Sequence, residues 1–392
     1  MDVINKDNIS RFIAAIIALI PLMGNLIFFQ INLISIEHRV AGIIVTGFIS
    51  TLFFLMIYTQ KVYKYRLIFF IAIAICFFPS FINNLVQARG AMGLTETDII
   101  KAEVPFCHIA IPFTLIPYAL TETLVFPARL FNHYASVYSM LLIWLLASLT
   151  LGRGWCSWVC FYGGWDEGFS ALGKKKIINL NPSSPYARFF NFSILIAVVL
   201  LSIKSMSIVY CEWFCPFKAI TEYGETSSLI GYLQFILMIV LFAGLLIVIP
   251  LLSKVRFQCS TFCPFGAFQS FFNRISPFVM AVDRNKCVDC GLCIKTCPLL
   301  AISAESLSKG KVHITCTLCG KCQDVCPKSA INLRFKWFRD YPVKSGRVIV
   351  DSFYYLFSPI TVLSFGGVLI GSIVGGGFMQ NTLVLLIKWI GV

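Results

Sequence analysis

Charge is scarce in this chain: 13% of its 392 residues are Asp, Glu, Lys or Arg, about half the share of an ordinary soluble domain. Histidine is scarcer, with His38, His108, His133 and His313 the only four. No C-x-x-C-H motif occurs, which excludes covalently attached c-type haem. None of the four histidines is expected mid-helix, which argues against a bis-histidine haem within a bilayer. The sequence also lacks a phosphate-cradling glycine loop and a nucleophile–base pairing, so no substrate chemistry beyond redox is expected and no catalytic residue is assigned. The formal charge of +14 is spread over short loops beside apolar segments, with no aromatic-interleaved basic face, which argues against nucleic acid as a partner.

What the chain has is apolar length. Hydrophobic residues make up 58% of it, and charge-free stretches able to cross a bilayer of about 20 helical residues recur. Helices are expected at about 12–35, 40–58, 67–86, 135–152, 189–210 and 229–253, with a seventh beginning near Ser352. The first is too long for a signal-peptide core and has no small-residue cleavage site behind it, so it reads as a retained helix. The uncharged run from Ser352 to Ile387 exceeds one span and contains Gly366, Gly367, Gly371 and Gly375-Gly376-Gly377. Such glycines suit a broken helix or a hairpin, leaving seven or eight helices. Loop charge sets the orientation. Lys61, Lys64 and Arg66, and then Arg153, Lys174, Lys175, Lys176 and Arg188 against Asp166 and Glu167, put loops 60–66 and 153–188 on the cytoplasmic side of a bacterial or archaeal membrane. Loops 87–134 and 211–228 face outward, and residues 254–347 face the cytoplasm. Lys204, near the outer end of the fifth helix, is an intramembrane charge that snorkelling explains. Trp155, Trp158, Trp165 and Trp213 read first as an interfacial belt and second as shielding for a redox centre.

Sixteen cysteines remain to be explained. Eight form a double motif: Cys287-x2-Cys290-x2-Cys293-x3-Cys297-Pro298, then Cys316-x2-Cys319-x2-Cys322-x3-Cys326-Pro327, each continuing with Ala-Ile. Three closely spaced thiolates wrap three irons of a cubane, and the fourth iron takes the distant cysteine of the other half. One [4Fe–4S] cluster is therefore expected on Cys287, Cys290, Cys293 and Cys326, and a second on Cys316, Cys319, Cys322 and Cys297. Zinc sites favour two separated pairs rather than this triple-plus-one repeat, and disulfides are disfavoured on the cytoplasmic side. The expected fold is a membrane all-α bundle of 7–8 transmembrane helices with an inserted cytoplasmic α+β ferredoxin-like 2[4Fe–4S] domain. Residues 1–280 form the membrane part with about six helices, 281–335 the ferredoxin domain, and 336–392 a C-terminal membrane segment.

Six more cysteines form C-x3-C pairs: Cys156/Cys160, Cys211/Cys215 and Cys259/Cys263. On a helix, positions i and i+4 share a face, so each pair is able to aim two thiolates one way. A single pair would read as apolar filling; three pairs at helix ends favour metal or redox ligation. Topology puts Cys156, Cys160, Cys259 and Cys263 at cytoplasmic helix ends, a four-thiolate set for a third centre. Cys211 and Cys215 fall on the outer side with Cys107 and His108, a set for a further metal centre or, alternatively, for a disulfide. Cys76 stands alone.

Gly152-Arg153-Gly154-Trp155-Cys156-Ser157-Trp158-Val159-Cys160, then Cys259-Ser-Thr-Phe-Cys263-Pro264-Phe265-Gly266-Ala267-Phe268, then the double motif, resemble the membrane polyferredoxins, a 4Fe–4S binding family of the NapH and NosR type. The resemblance covers roughly residues 135–335. It implies an iron–sulfur electron-transfer protein working between the quinol pool or a cytoplasmic donor and a membrane or periplasmic acceptor, with redox proteins, quinol and lipid as partners. Phe161-Tyr162-Gly163 stands where the family usually has proline, the Cys211/Cys215 pair is extra, and the flavin-attachment signature of the NosR type is absent. A different class remains open: an assembly or maturation factor whose thiol pairs bind or reduce a metal for a respiratory enzyme.

Overall fold

The computed structural model describes residues 2–30, 35–88, 111–121, 137–173, 175–180, 185–206, 209–215, 229–337 and 345–390. The apolar runs become helices: α1 Asp2–Gln30, α2 Ile36–Thr59, α3 Val62–Ala88, α4 Ile111–Thr121, α5 Val137–Leu151, α6 Phe161–Leu172 and α7 Pro185–Ser205. They continue with α8 Leu229–Ser253, α9 Pro264–Phe272, α10 Val348–Leu356 and α11 Pro359–Ile390. Five described helices are long and apolar enough to cross a membrane: Lys6–Phe28, Ile36–Thr59, Val62–Ser80, Leu229–Ser253 and Pro359–Ile390. Segments Ile111–Thr121 and Phe189–Ser205 are shorter apolar helices. The α8 face with Ile230, Leu233, Ile236 and Val240 is exposed, as a lipid-facing surface should be.

The uncharged run from Ser352 is broken, but ahead of its glycines: α10 ends at Leu356, and α11, one helix of 32 residues, starts at Pro359 and carries Gly366 to Gly377 without interruption. Three of its glycines serve close packing. A Cβ on Gly367 would strike the Trp158 ring, one on Gly371 would come 2.7 Å from the Trp158 carbonyl, and one on Gly375 would come 2.6 Å from Ile73. Spaced four apart, they form one face on which neighbouring backbones approach closely, the usual helix-packing role of small residues in membranes. That face holds the single turn Trp155–Trp158, whose tryptophans are 1% and 0% exposed. They are core residues, so the interfacial reading does not hold for them.

The double motif folds as a small α+β unit. Strand β1, Phe278–Val282, pairs antiparallel with β2, Ile331–Phe335, in the register Phe278–Phe335 to Val282–Ile331. Each half bends its backbone into the left-handed region at the same offsets: Asp289 and Leu318, Gly291 and Gly320, Leu300 and Ser329. The unit does not stand off from the bundle, because its Phe278, Met280, Cys293, Leu318 and Cys322 share one continuous core with the helices. Tyr63, at the start of α3, lies under Gly320 and beneath the Lys321 ammonium. Helix α3 thus begins on the ferredoxin unit and runs into the bundle.

Candidate iron–sulfur sites

Cys287, Cys290, Cys293 and Cys326 line one pocket together with Gly291 and Pro327. Cys322 lies in the field of Cys316, Cys319 and Cys297, its partners in the second set, and of Cys293 from the first. The repeated Ala-Ile has a structural purpose. Ala301 N donates to Cys297 Sγ at 3.3 Å and Ala330 N to Cys326 Sγ at 3.2 Å, each just after a residue with positive φ. These amides support a charged sulfur, the orienting role that surrounding hydrogen bonds play at metal sites.

The two sets differ in solvation. Cys290 is exposed, whereas Cys322 is 7% exposed. Burial, and then the neighbouring Cys319, push the Cys297 thiol up to about 11, and burial likewise raises Cys316 and Cys322. Thiols so held need a cation to become thiolates, and metal binding supplies it. Among the described residues, no three His, Cys, Asp or Glu side chains converge tightly enough for one bare ion. Four sulfurs about 2.3 Å from one zinc would have to crowd together, whereas a cubane spreads its thiolates over four irons. Wide four-cysteine sets with amides aimed at sulfur suit the latter.

The first and third C-x3-C pairs form a second gathering of thiols. Cys160 lies within the electrostatic reach of Cys156 and Cys263, Cys259 within that of Cys263 and Cys160, and Cys263 within that of Cys156, all between 5% and 8% exposed. Around them sit three wholly buried arginines. Arg66 donates to Glu167 at 2.5 Å, to the Ser157 carbonyl at 2.5 Å and to the Cys319 carbonyl at 3.2 Å. Arg256 donates to Glu167 at 3.3 Å, to Cys156 O at 2.7 Å and to Cys259 Sγ at 3.3 Å. Arg153 donates to Thr315 O at 2.8 Å and Cys259 O at 3.0 Å. Asp166 accepts from Cys259 N at 2.9 Å.

The middle pair, which the charge pattern would put on the outer side, packs against these loops. Cys215 Sγ is 2.8 Å from Tyr162 Oη, Gln258 donates to Tyr210 Oη at 3.1 Å, and the Phe214 and Phe262 rings are 6.1 Å apart. Both Tyr210–Phe214 and Gln258–Phe262 are π-helical turns. Their closing cysteines, Cys215 and Cys263, share with Cys160 a φ of −72° to −79° and a ψ of 111° to 113°. Cys107 and His108, the other expected members of the outer set, lie outside the described residues.

The comparisons agree with this threefold local likeness. A 4Fe–4S binding domain family matches three successive stretches, residues 134–179, 187–226 and 235–280, each holding one C-x3-C pair. Two further 4Fe–4S binding domain families match residues 279–302 and 316–330. An uncharacterized protein of Methanocaldococcus jannaschii is 29% identical over 45% of this chain and 71% of its own length. An Escherichia coli protein named as electron transport protein YccM is 24% identical over 42% of this chain and 46% of its own. The methylamine utilization ferredoxin-type protein MauN of Methylobacillus flagellatus is 29% identical over 38% of this chain and 48% of its own. The chain thus aligns with about half the length of the last two. No solved structure matches it.

Sequence reasoning missed the arginines. It counted Arg66, Arg153, Asp166 and Glu167 as loop charges that report orientation, yet all four are at most 1% exposed. The available signal was positional. Arg153 and Arg256 each stand three residues before the first cysteine of a pair, and Gly163 and Gly266 each stand three after the second.

Proposed function

We propose that the chain relays single electrons from a cytoplasmic or quinol donor, through its ferredoxin unit, into the membrane toward a membrane or periplasmic acceptor; its matches to 4Fe–4S binding domain families and its likeness to proteins named for electron transport and as ferredoxin-type support this reading. Bound [4Fe–4S] clusters would supply the one-electron chemistry. Cys287, Cys290, Cys293 and Cys326 would hold one, Cys316, Cys319, Cys322 and Cys297 a second, and Cys156, Cys160, Cys259 and Cys263 a third. Cys211 and Cys215 would belong to a further centre.

The observation that carries this reading is continuity. Arg153 spans from Thr315, next to Cys316, to the Cys259 carbonyl, and Arg66 spans from the Cys319 carbonyl to Ser157 beside Cys156. One arginine side chain therefore separates the second ferredoxin set from the thiols of the bundle. Tyr162 then links the neighbourhood of Cys160 to Cys215. The residues order the thiol sets from exposed Cys290 inward, and the bundle excludes water from the inner ones. The start of α3, which positive-inside logic puts in the cytoplasm, is the segment under the ferredoxin unit. This supports a unit on the cytoplasmic face of a prokaryotic membrane.

The test is electron delivery through vesicles. Vesicles carrying the protein, with dithionite outside and ferricyanide trapped inside, should reduce the trapped acceptor faster than protein-free vesicles, and Cys319→Ser should abolish the gain. Equal rates with and without protein contradict a relay that reaches the far face of the membrane; a lipid-soluble quinone analogue in the same vesicles, left unreduced as well, contradicts a relay into the membrane.

A further inference from the structure

The first and third C-x3-C motifs are related by a local two-fold exchange. Both read Arg-x2-Cys-x3-Cys-x2-Gly: Arg153 to Gly163, and Arg256 to Gly266. Each arginine crosses to the other motif. Arg153 Nη2 donates to the carbonyl of Cys259, and Arg256 Nη2 to the carbonyl of Cys156. Each crossing ends over the opposite glycine: a Cβ on Gly266 would come 3.0 Å from Arg153 Nη2, and one on Gly163 would strike Arg256 Nη2. The middle pair has Ile208 and Lys218 at the matching positions and so lacks both parts.

The exchange breaks in one respect, and the break is in charge. Six and seven residues after Cys160 stand Asp166 and Glu167; the same offsets from Cys263 give Gln269 and Ser270. Arg256 therefore has Glu167, which it shares with Arg66, but no carboxylate lies within ion-pair reach of Arg153 among the described residues. Three guanidiniums face two carboxylates in a fully buried site, and the Nε of both Arg153 and Arg256 is buried without a protein acceptor among the described residues. An uncompensated buried cation is costly, and its field falls on Cys156, Cys259 and Cys263.

We propose that Arg153 and Arg256 are a reciprocal cationic clamp for an anionic, thiolate-ligated iron–sulfur group on Cys156, Cys160, Cys259 and Cys263, with Arg153 supplying the charge that balances it. The clamp rests on the reading of these thiols as ligands. The arginines are positioning residues: they fix the two cysteine loops against each other, and their charge favours the more negative, reduced form of the group.

The test uses the full chain purified anaerobically in detergent, as wild type, Arg153→Gln, Arg153→Lys, Cys156→Ala/Cys160→Ala, and Lys309→Gln as an exposed charge control. Iron and sulfide are counted, and the signal missing from the cysteine variant is followed in an EPR redox titration. Arg153→Gln should lose about four irons, or keep them with a lower midpoint, while Arg153→Lys and Lys309→Gln stay near wild type. Full iron and an unmoved midpoint in Arg153→Gln overturn the clamp, as does equal loss in Arg153→Gln and Arg153→Lys, which marks a neutral staple. A wild type with only about eight irons instead overturns the underlying reading of the thiols.

Discussion

Glu167→Gln should be among the most destabilising conservative changes in this chain. The carboxylate holds Arg66 at 2.5 Å and Arg256 at 3.3 Å, with all three side chains at 0% exposure. Gln has nearly the same volume, so no cavity opens; what disappears is the charge facing two buried guanidiniums. Removing one partner of a buried ion pair costs about 3–5 kcal/mol, or roughly two to four orders of magnitude in the folded-to-unfolded ratio at about 1.4 kcal/mol per tenfold. The contrast is Glu305→Gln, whose pair with Lys309 is 66–70% exposed and where such pairs contribute about 0–1 kcal/mol. Limited proteolysis in detergent reads the population of the opened state. Glu167→Gln should be cleaved at least about a hundredfold faster than wild type and Glu305→Gln at nearly the wild-type rate. Comparable rates for the two variants refute the reasoning, since they would mean that water or a rearrangement satisfies the arginines.

Three further outcomes are expected. Gly371→Ala forces a Cβ to 2.7 Å from the Trp158 carbonyl and should cost about 1–3 kcal/mol of overpacking, whereas Gly377→Ala meets nothing within 4 Å and should be neutral or slightly stabilising; thermal midpoints in detergent compare them. Gly320→Ala places a Cβ at φ +82° and should cost about 1–2 kcal/mol, read as earlier loss of cluster absorbance on heating. In iron-stripped protein, exposed Cys290 should be alkylated first. Cys297, whose thiol is pushed up to about 11 by burial and then by Cys319, should react much more slowly than Cys290; because the raised value keeps it protonated at neutral pH, its rate should climb about tenfold per pH unit up to that value. Mass mapping of the alkylated cysteines decides the order.

The ferredoxin unit was legible because cubane ligation forces a fixed cysteine spacing, and the two halves repeat it residue for residue. Even there, the left-handed turns at Asp289, Leu318, Leu300 and Ser329 carry no glycine to announce them. The membrane character was legible from apolar length, but where the C-terminal run breaks was not, because glycine marks a break and a close contact alike: the break falls at Phe357–Ser358, ahead of every glycine in the run. Only the facing Trp158 and Ile73 decide which. The charges were the most deceptive feature. Arg66, Arg153, Asp166 and Glu167 sit at helix ends in sequence, where solvent is the default, and their burial depends on partners about a hundred residues away. The reciprocal Arg-x2-Cys-x3-Cys-x2-Gly pattern was present in the sequence, but its meaning needs the crossing of the two loops in space.

The central claim is that the bundle thiols extend the ferredoxin unit into a longer chain of redox centres. Iron and acid-labile sulfide per chain, in anaerobically purified wild type against Cys156→Ala/Cys160→Ala and Cys211→Ala/Cys215→Ala, test it most directly. The account predicts roughly twelve to sixteen irons in wild type, with about four lost in the Cys156/Cys160 variant. About eight irons in all three proteins would confine the clusters to the ferredoxin unit and contradict the account.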